Sequence, residues 1–227
     1  MNPRYLVGLD LGQANDFSAW AVALQHDHGA EPPTYDVPYL ERIRGARYPA
    51  VVDHTRVLIE ALLAQDPRPD VDLVVDFTGV GRAVADMVID AELGAKVTLV
   101  TITGGDAVTR GERGEWRVPK RDLASVVQVA LQSSRLRIGA ELALAETLTQ
   151  ELTNFRVEIK LNGHDVYGAG ADWRDGNHDD LVLALAMALW RGERTPRPVI
   201  AMPGSVAFDN FFSLSDVGGF AGDPWWQ

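Results

Sequence analysis

Tyr5-Leu-Val-Gly-Leu-Asp-Leu11 is an apolar run with a single acid, Asp10, near its end, and it reads as a buried β-strand. Two more apolar runs follow, Phe17 to Leu24 and Val37 to Ile43, joined by Gly12-Gln-Ala-Asn-Asp16 and by a looser stretch around Pro32-Pro33. Three consecutive strands with such links predict an antiparallel meander. The period then changes. Val51, Thr55, Leu58 and Leu62 recur at helical spacing until Asp66-Pro67-Arg68-Pro69 breaks the pattern. Leu73-Val-Val-Asp76 is a short strand that again ends in an acid. Val80, Val84, Met87, Val88 and Ala91 mark a helix, and Lys96 to Ile102 the next strand. Strands alternating with helices predict parallel neighbours. The fold class is α/β: a mixed sheet, with a three-strand antiparallel meander plus parallel strands, flanked by helices.

Further along, Thr103 to Pro119 is Gly-rich and reads as irregular. Leu123, Val126, Val127, Ala130 and Leu131 form an amphipathic helical stripe, and a second helix is expected from Glu141 to Asn154. Phe155 to Leu161, Asn162-Gly163 and Asp165 to Tyr167 read as a hairpin, because Asn-Gly suits a type I′ turn. Leu181 to Trp190 is apolar all round, which predicts a buried helix. Beyond Arg191 come prolines, glycines and two aromatic clusters, Phe208-Asp-Asn-Phe-Phe212 and Trp225-Trp226. One domain is expected over residues 1–192, with an irregular tail over 193–227 whose aromatics dock on the domain or on a partner.

Composition narrows the function. With 227 residues, 46% hydrophobic and 23% charged, the chain is an ordinary globular one and not a disordered one. It has no cysteine, which excludes disulfide scaffolds, thiolate metal sites and cysteine nucleophiles. The five histidines are too scattered for a zinc site. No apolar run reaches the ~18 residues a membrane span needs, and no export signal opens the chain, so a cytoplasmic location is expected. A formal net charge of -11 excludes indiscriminate nucleic-acid binding. It does not exclude a nuclease, whose carboxylates hold metal ions.

Three acidic positions stand out. Asp10 lies inside an apolar strand, Asp76 ends another, and Asp179-Asp180 precede the apolar helix. A carboxylate buried alone costs several kcal/mol, so such acids must be paired or bind metal. If the first and fourth strands are parallel neighbours, Asp10 and Asp76 lie side by side, and the helix start adds a third ligand. An all-oxygen donor set suits Mg2+ or Mn2+. Two such ions activate a water and stabilise the leaving oxygen of a phosphodiester with no protein nucleophile. The plainer readings are a turn residue for Asp76 and helix-start acids, with Asn177 as N-cap, for Asp179 and Asp180. Their conjunction with Asp10 favours the metal site. His178 is a further candidate for orienting a water, and Thr78 for hydrogen-bonding Asp76.

Gly8-Leu-Asp-Leu-Gly12, Val75-Asp-Phe-Thr-Gly-Val-Gly81 and His178-Asp-Asp-Leu-Val-Leu-Ala-Leu-Ala186 resemble the three acidic motifs of the nuclease domain of phage terminase large subunits. Val118-Pro-Lys-Arg-Asp-Leu123, the Glu151-Leu-Thr-Asn-Phe155 run and the hairpin after it also look like that family, so the resemblance spans residues 5–190. It implies an RNase H-like fold, shared with RuvC-type junction resolvases, and endonucleolytic cutting of concatemeric viral double-stranded DNA during packaging in the host cytoplasm. It implies two Mg2+ or Mn2+ ions on Asp10, Asp76 and Asp180, with Asp179 as partner or alternate ligand. It also implies a packaging ATPase, a portal and a small terminase subunit as partners. No Gly-x-x-x-x-Gly-Lys-Ser/Thr loop occurs in these residues, so the ATPase is expected on a separate chain or a removed domain.

Arg110, Arg113, Arg117, Lys120 and Arg121 gather in one short stretch against Glu112 and Glu115. In so acidic a chain they are the best candidates for DNA phosphate contacts, with Trp116 as a stacking residue or a buried anchor. A RuvC-like junction resolvase is the alternative within the same fold, and two rival classes remain: an actin- or sugar-kinase-like ATP-binding protein, whose phosphate loops resemble the first two motifs, and a non-catalytic packaging module. The kinase-like proteins are duplicated and longer, and they have no evident use for Asp179-Asp180.

Overall fold

The computed structural model describes residues 3–12, 16–65, 67–79, 82–112, 114–158 and 179–195. Eight strands and five helices lie among them: β1 (Arg4–Asp10), β2 (Phe17–His28), β3 (Glu31–Arg44), α1 (Tyr48–Leu63), β4 (Asp70–Asp76), α2 (Arg82–Asp90), β5 (Lys96–Thr103), β6 (Thr109–Arg110), β7 (Trp116–Pro119), α3 (Lys120–Gln132), β8 (Leu136–Ile138), α4 (Ala145–Glu158) and α5 (Asp180–Arg194). The strands form one sheet in the order β6-β7-β5-β4-β1-β2-β3-β8. β1, β2 and β3 are the antiparallel meander. β4 pairs with β1, and β5 with β4, in parallel. The mixed sheet read from the sequence is the one found.

Successive side chains of a strand point to opposite faces, so the sheet has two cores. Tyr5, Val7, Leu9, Trp20, Val22, Leu73 and Val75 pack under α1 and α2. Leu6, Ala19, Ala21, Ala23 and Val74 pack under α5, which α3 and α4 cover in turn. Every residue of α5 from Asp180 to Gly192 is buried, as a helix without a polar face requires. Small side chains let it lie close to the sheet. Gly8 sits beneath it, where a Cβ would come within 1.8 Å of the Ala184 carbonyl oxygen.

Three expectations need correction, and one short strand was not foreseen. Thr103 to Pro119 is not wholly irregular, because β6 and β7 extend the sheet past β5. β8, three residues long, closes the other edge against β3. The looser stretch at Pro32-Pro33 belongs to β3, where β8 pairs only with Tyr35 to Val37, so no ladder bond calls on the missing proline N–H groups. Phe155 does not begin a strand: α4 carries the chain through to Glu158, and Phe155 extends the helical stripe of Leu148 and Leu152 against α5. The remainder of the expected hairpin, with Asn162-Gly163, lies outside the described residues. So do His178, Asn177 and the tail from 196 on. α5 itself runs two residues past the expected boundary at 192.

Candidate active site

The parallel register of β1 and β4 sets Leu9 opposite Val75, which brings Asp10 and Asp76 together at the C-terminal ends of the two strands. Both fall on the α5 face, in alternation with Gly8 and Val74. Asp10 and Asp76 are each 8% exposed and Asp180 is 7% exposed. The Asp76 carboxyl is the nearest negative charge acting on Asp10, and the two acids face one cleft. Burial, then the charges of Asp76, Asp180 and Asp179, push Asp10 well above the usual carboxylate range. Burial also raises Asp76, though hydrogen bonds from Thr78 restrain it. The Thr78 amide donates to Asp76 Oδ1 at 2.7 Å, and the Thr78 hydroxyl oxygen accepts from the Ile102 amide at 2.7 Å. This pins the turn after β4 to β5.

α5 delivers the other two acids. Asp180 is its first residue and Asp179 its N-cap. Burial, followed by the negative charges of Asp16, Glu151 and Asp179, pushes Asp180 up to about 7. The Lys120 ammonium holds Asp179 Oδ2 at 2.7 Å and lies 5.1 Å above the Phe155 ring. Among the described residues no three carboxylates are already close enough to grip an ion. The donor chemistry nevertheless suits a hard divalent cation: carboxylate oxygens only, two of them at the ends of adjacent strands, with surplus negative charge around them.

Two members of this site were not read as such from the sequence. Glu151 caps α5, its Oε2 accepting from the Leu181 amide at 2.9 Å and the Val182 amide at 3.1 Å, while its Oε1 meets the Arg42 guanidinium at 3.2 Å. Burial outweighs these partners and raises Glu151 to about 7. The signal was present: Glu151 falls within the apolar stripe Leu148, Leu152, Phe155, where an acid needs a partner. Asp16 is the other. It lies in the β1–β2 link, and only the meander's closure brings its charge near Asp180.

The basic stretch divides. Lys120 stands with the acids. Arg121 is held by Asp106 at 2.7 Å. Arg110 lies 3.7 Å over Trp116 and bonds the Gly114 carbonyl. Arg117 is an exposed neighbour, 4.0 Å from Glu115, and Arg113 lies outside the described residues. Trp116 is an anchor, edge-on to Trp190 at 5.7 Å.

A meander feeding two parallel strands whose adjacent ends carry acids, crossed by a helix that brings more, is the RNase H-like architecture. A solved structure agrees. The chain is similar to the terminase nuclease domain of human cytomegalovirus in its Mn-soaked form, with a TM-score of 0.50 and 15% identity over 82% of each chain. It also overlays, far more loosely, on RuvC of Thermus thermophilus, with a TM-score of 0.35 and 11% identity over 82% of this chain and 90% of that one. No family model and no curated protein matches the sequence. At such identities the likeness defines the fold, and the first overlay alone carries that weight.

Proposed function

We propose that this chain is a divalent-metal-dependent endonuclease acting on double-stranded DNA, and that it is the nuclease part of a viral packaging motor. The observation that carries the chemistry is the buried Asp10–Asp76 pair, with Asp180 and Asp179 brought beside it by α5. Asp10 and Asp76 would hold Mg2+ or Mn2+, two ions in all, with Asp180 as third ligand and Asp179 as its partner or alternate. Bound there, such ions supply the charge that activates a water and steadies the leaving oxygen. The chain itself orients the ligands: Thr78 fixes Asp76, Lys120 fixes Asp179, and Glu151 fixes the helix start that presents Asp180.

The packaging role rests on the order of the three acidic motifs and on the likeness to a domain described as a terminase nuclease. It carries with it concatemeric DNA as substrate, action in the host cytoplasm, and a packaging ATPase, portal and small terminase subunit as partners. The test of the core reading is plasmid digestion in parallel with EDTA, Mg2+ and Mn2+. Cutting is expected with both ions, faster with Mn2+, and absent in EDTA. Cutting that survives EDTA would overturn the metal-dependent reading.

For the DNA track, Arg110 and Arg117 are the exposed candidates on the β6–β7 edge. Replacing both with Ala should weaken duplex binding and reduce the log–log salt slope by about 0.9 for each phosphate the variant no longer neutralises. A salt titration that leaves the slope unchanged would move the track elsewhere.

A further inference from the structure

The geometry points to a second ligand site, for a small phosphate ester, at the edge of the sheet opposite the acids. Arg4 and Asp10 end the same seven-residue strand, which separates the two sites by about 20 Å. At that edge lies a cavity of about 490 Å3 lined by Arg4, Arg68, Lys96 and Arg191, with Asp70 and Asp72 as its acids. It brings together the N-terminal ends of β1, β4 and β5 and the last turn of α5.

Its charges do not balance. Asp72 is 5% exposed and takes both buried arginines, Arg4 (Nε to Oδ2, 2.9 Å) and Arg191 (Nε to Oδ1, 3.0 Å). Arg4 is otherwise satisfied by the Gln25 side chain at 3.2 Å and the Thr195 carbonyl at 2.7 Å. Arg191 gives only its Nε to a described residue. The side chains of Arg68 and Lys96 form no ion pair with a described residue. One carboxylate cannot neutralise two buried guanidinium groups, and an uncompensated buried charge costs several kcal/mol. The lining as a whole carries a surplus of two positive charges in a chain of -11.

A phosphate monoester carries about −1.5 to −2 at neutral pH, which matches that surplus. Its oxygens also suit the planar fork that Arg191 leaves available. The volume falls in the range of small-molecule pockets, about 300–1,000 Å3, so an ester of nucleotide size enters whole, while a DNA duplex would meet only the rim.

The test uses the full chain in EDTA, so that no metal at the acids can recruit phosphate. Inorganic phosphate and dTMP are titrated by calorimetry and thermal shift against the parent and the double variant Arg68→Ala, Lys96→Ala. These two residues hold no ion pair in the described structure and lie outside the acidic site. Saturable binding is expected with a Kd on the order of 1 mM for phosphate, tighter for dTMP, and at least tenfold weaker in the double variant. The double variant should melt as the parent does without ligand and cut plasmid as before. Binding unchanged in the variant, or no saturable binding by the parent, would overturn the site. A short duplex that displaces phosphate from the parent but not from Arg110→Ala, Arg117→Ala would overturn the small-ligand assignment. None of these outcomes bears on the nuclease reading.

Discussion

Asp10→Asn is expected to abolish DNA cutting while raising the melting temperature of the metal-free protein at pH 8. Both effects follow from the crowding of carboxylates. The folded-state pKa of Asp10 is raised, and that of Asp180 is pushed up to about 7, so the folded chain keeps protons that the unfolded chain sheds near pH 4. Stability is then fully present below about pH 4 and is lost as pH rises toward and through 7. The metal-free parent should therefore melt lower at pH 8 than at pH 5. Asn keeps the shape of Asp but carries no charge. It removes one source of repulsion, so the variant should lose less stability between pH 5 and pH 8. Mn2+ should stabilise the parent, since it binds the folded site preferentially, and should do little for the variant. Losing several kcal/mol of charge stabilisation at the reacting phosphate corresponds to a rate loss of roughly 10^3-fold or more. A variant that melts early in EDTA at pH 8, or one that still cuts, would remove Asp10 from the proposed ligand set.

How much of this was legible in the sequence depends on how locally each feature is encoded. β1 and β4 could be read because an acid inside or at the end of an apolar run is conspicuous in itself, and α5 because no face of it is polar. Their pairing was only a condition of the sequence reading, and the parallel register of β1 and β4 meets it. β7 and β8 could not be read in the same way. Trp116–Pro119 and Leu136–Ile138 are too short for alternation to show, and they become strands only because β5 and β3 offer them free edges. Phe155 has the β propensity of an aromatic residue, and the Asn-Gly turn downstream encouraged a strand. Its packing against α5 overrides that preference and prolongs the helix. Lys120 looked like one of five loop cations, yet its position as the first residue of α3 turns it toward Asp179. Such placements depend on how distant elements pack together. That is why the metal-ligand candidates were visible before the structure, and their supporting residues, Glu151, Arg42 and Asp16, were not.

Gly8→Ala is expected to destabilise the protein strongly and to impair cutting by whatever remains folded. The added Cβ would stand 1.8 Å from the Ala184 carbonyl oxygen, 2.7 Å from its carbon and 3.3 Å from its Cα. All three are backbone atoms of α5, so no side-chain rotation can relieve the clash. Either the helix lifts from β1 or the strand bends. Lifting the helix is opposed by α3 and α4 on its far side, and it would loosen a buried stretch running from Asp180 to Gly192. Overpacking costs about 1–3 kcal/mol, and a clash with rigid backbone belongs at the upper end. For a domain of this size, about 3 kcal/mol lowers Tm by roughly 6–12 °C. Cutting measured well below that Tm should fall as well, because a helix displaced from β1 carries Asp180 away from Asp10 and Asp76. The companion variant Gly8→Ala, Ala184→Gly separates this account from ordinary side-chain crowding. Removing the Ala184 methyl leaves its carbonyl where it was, so the double variant should recover neither stability nor activity. Recovery of both would mean that the two side chains, and not the helix backbone, set the distance between α5 and β1.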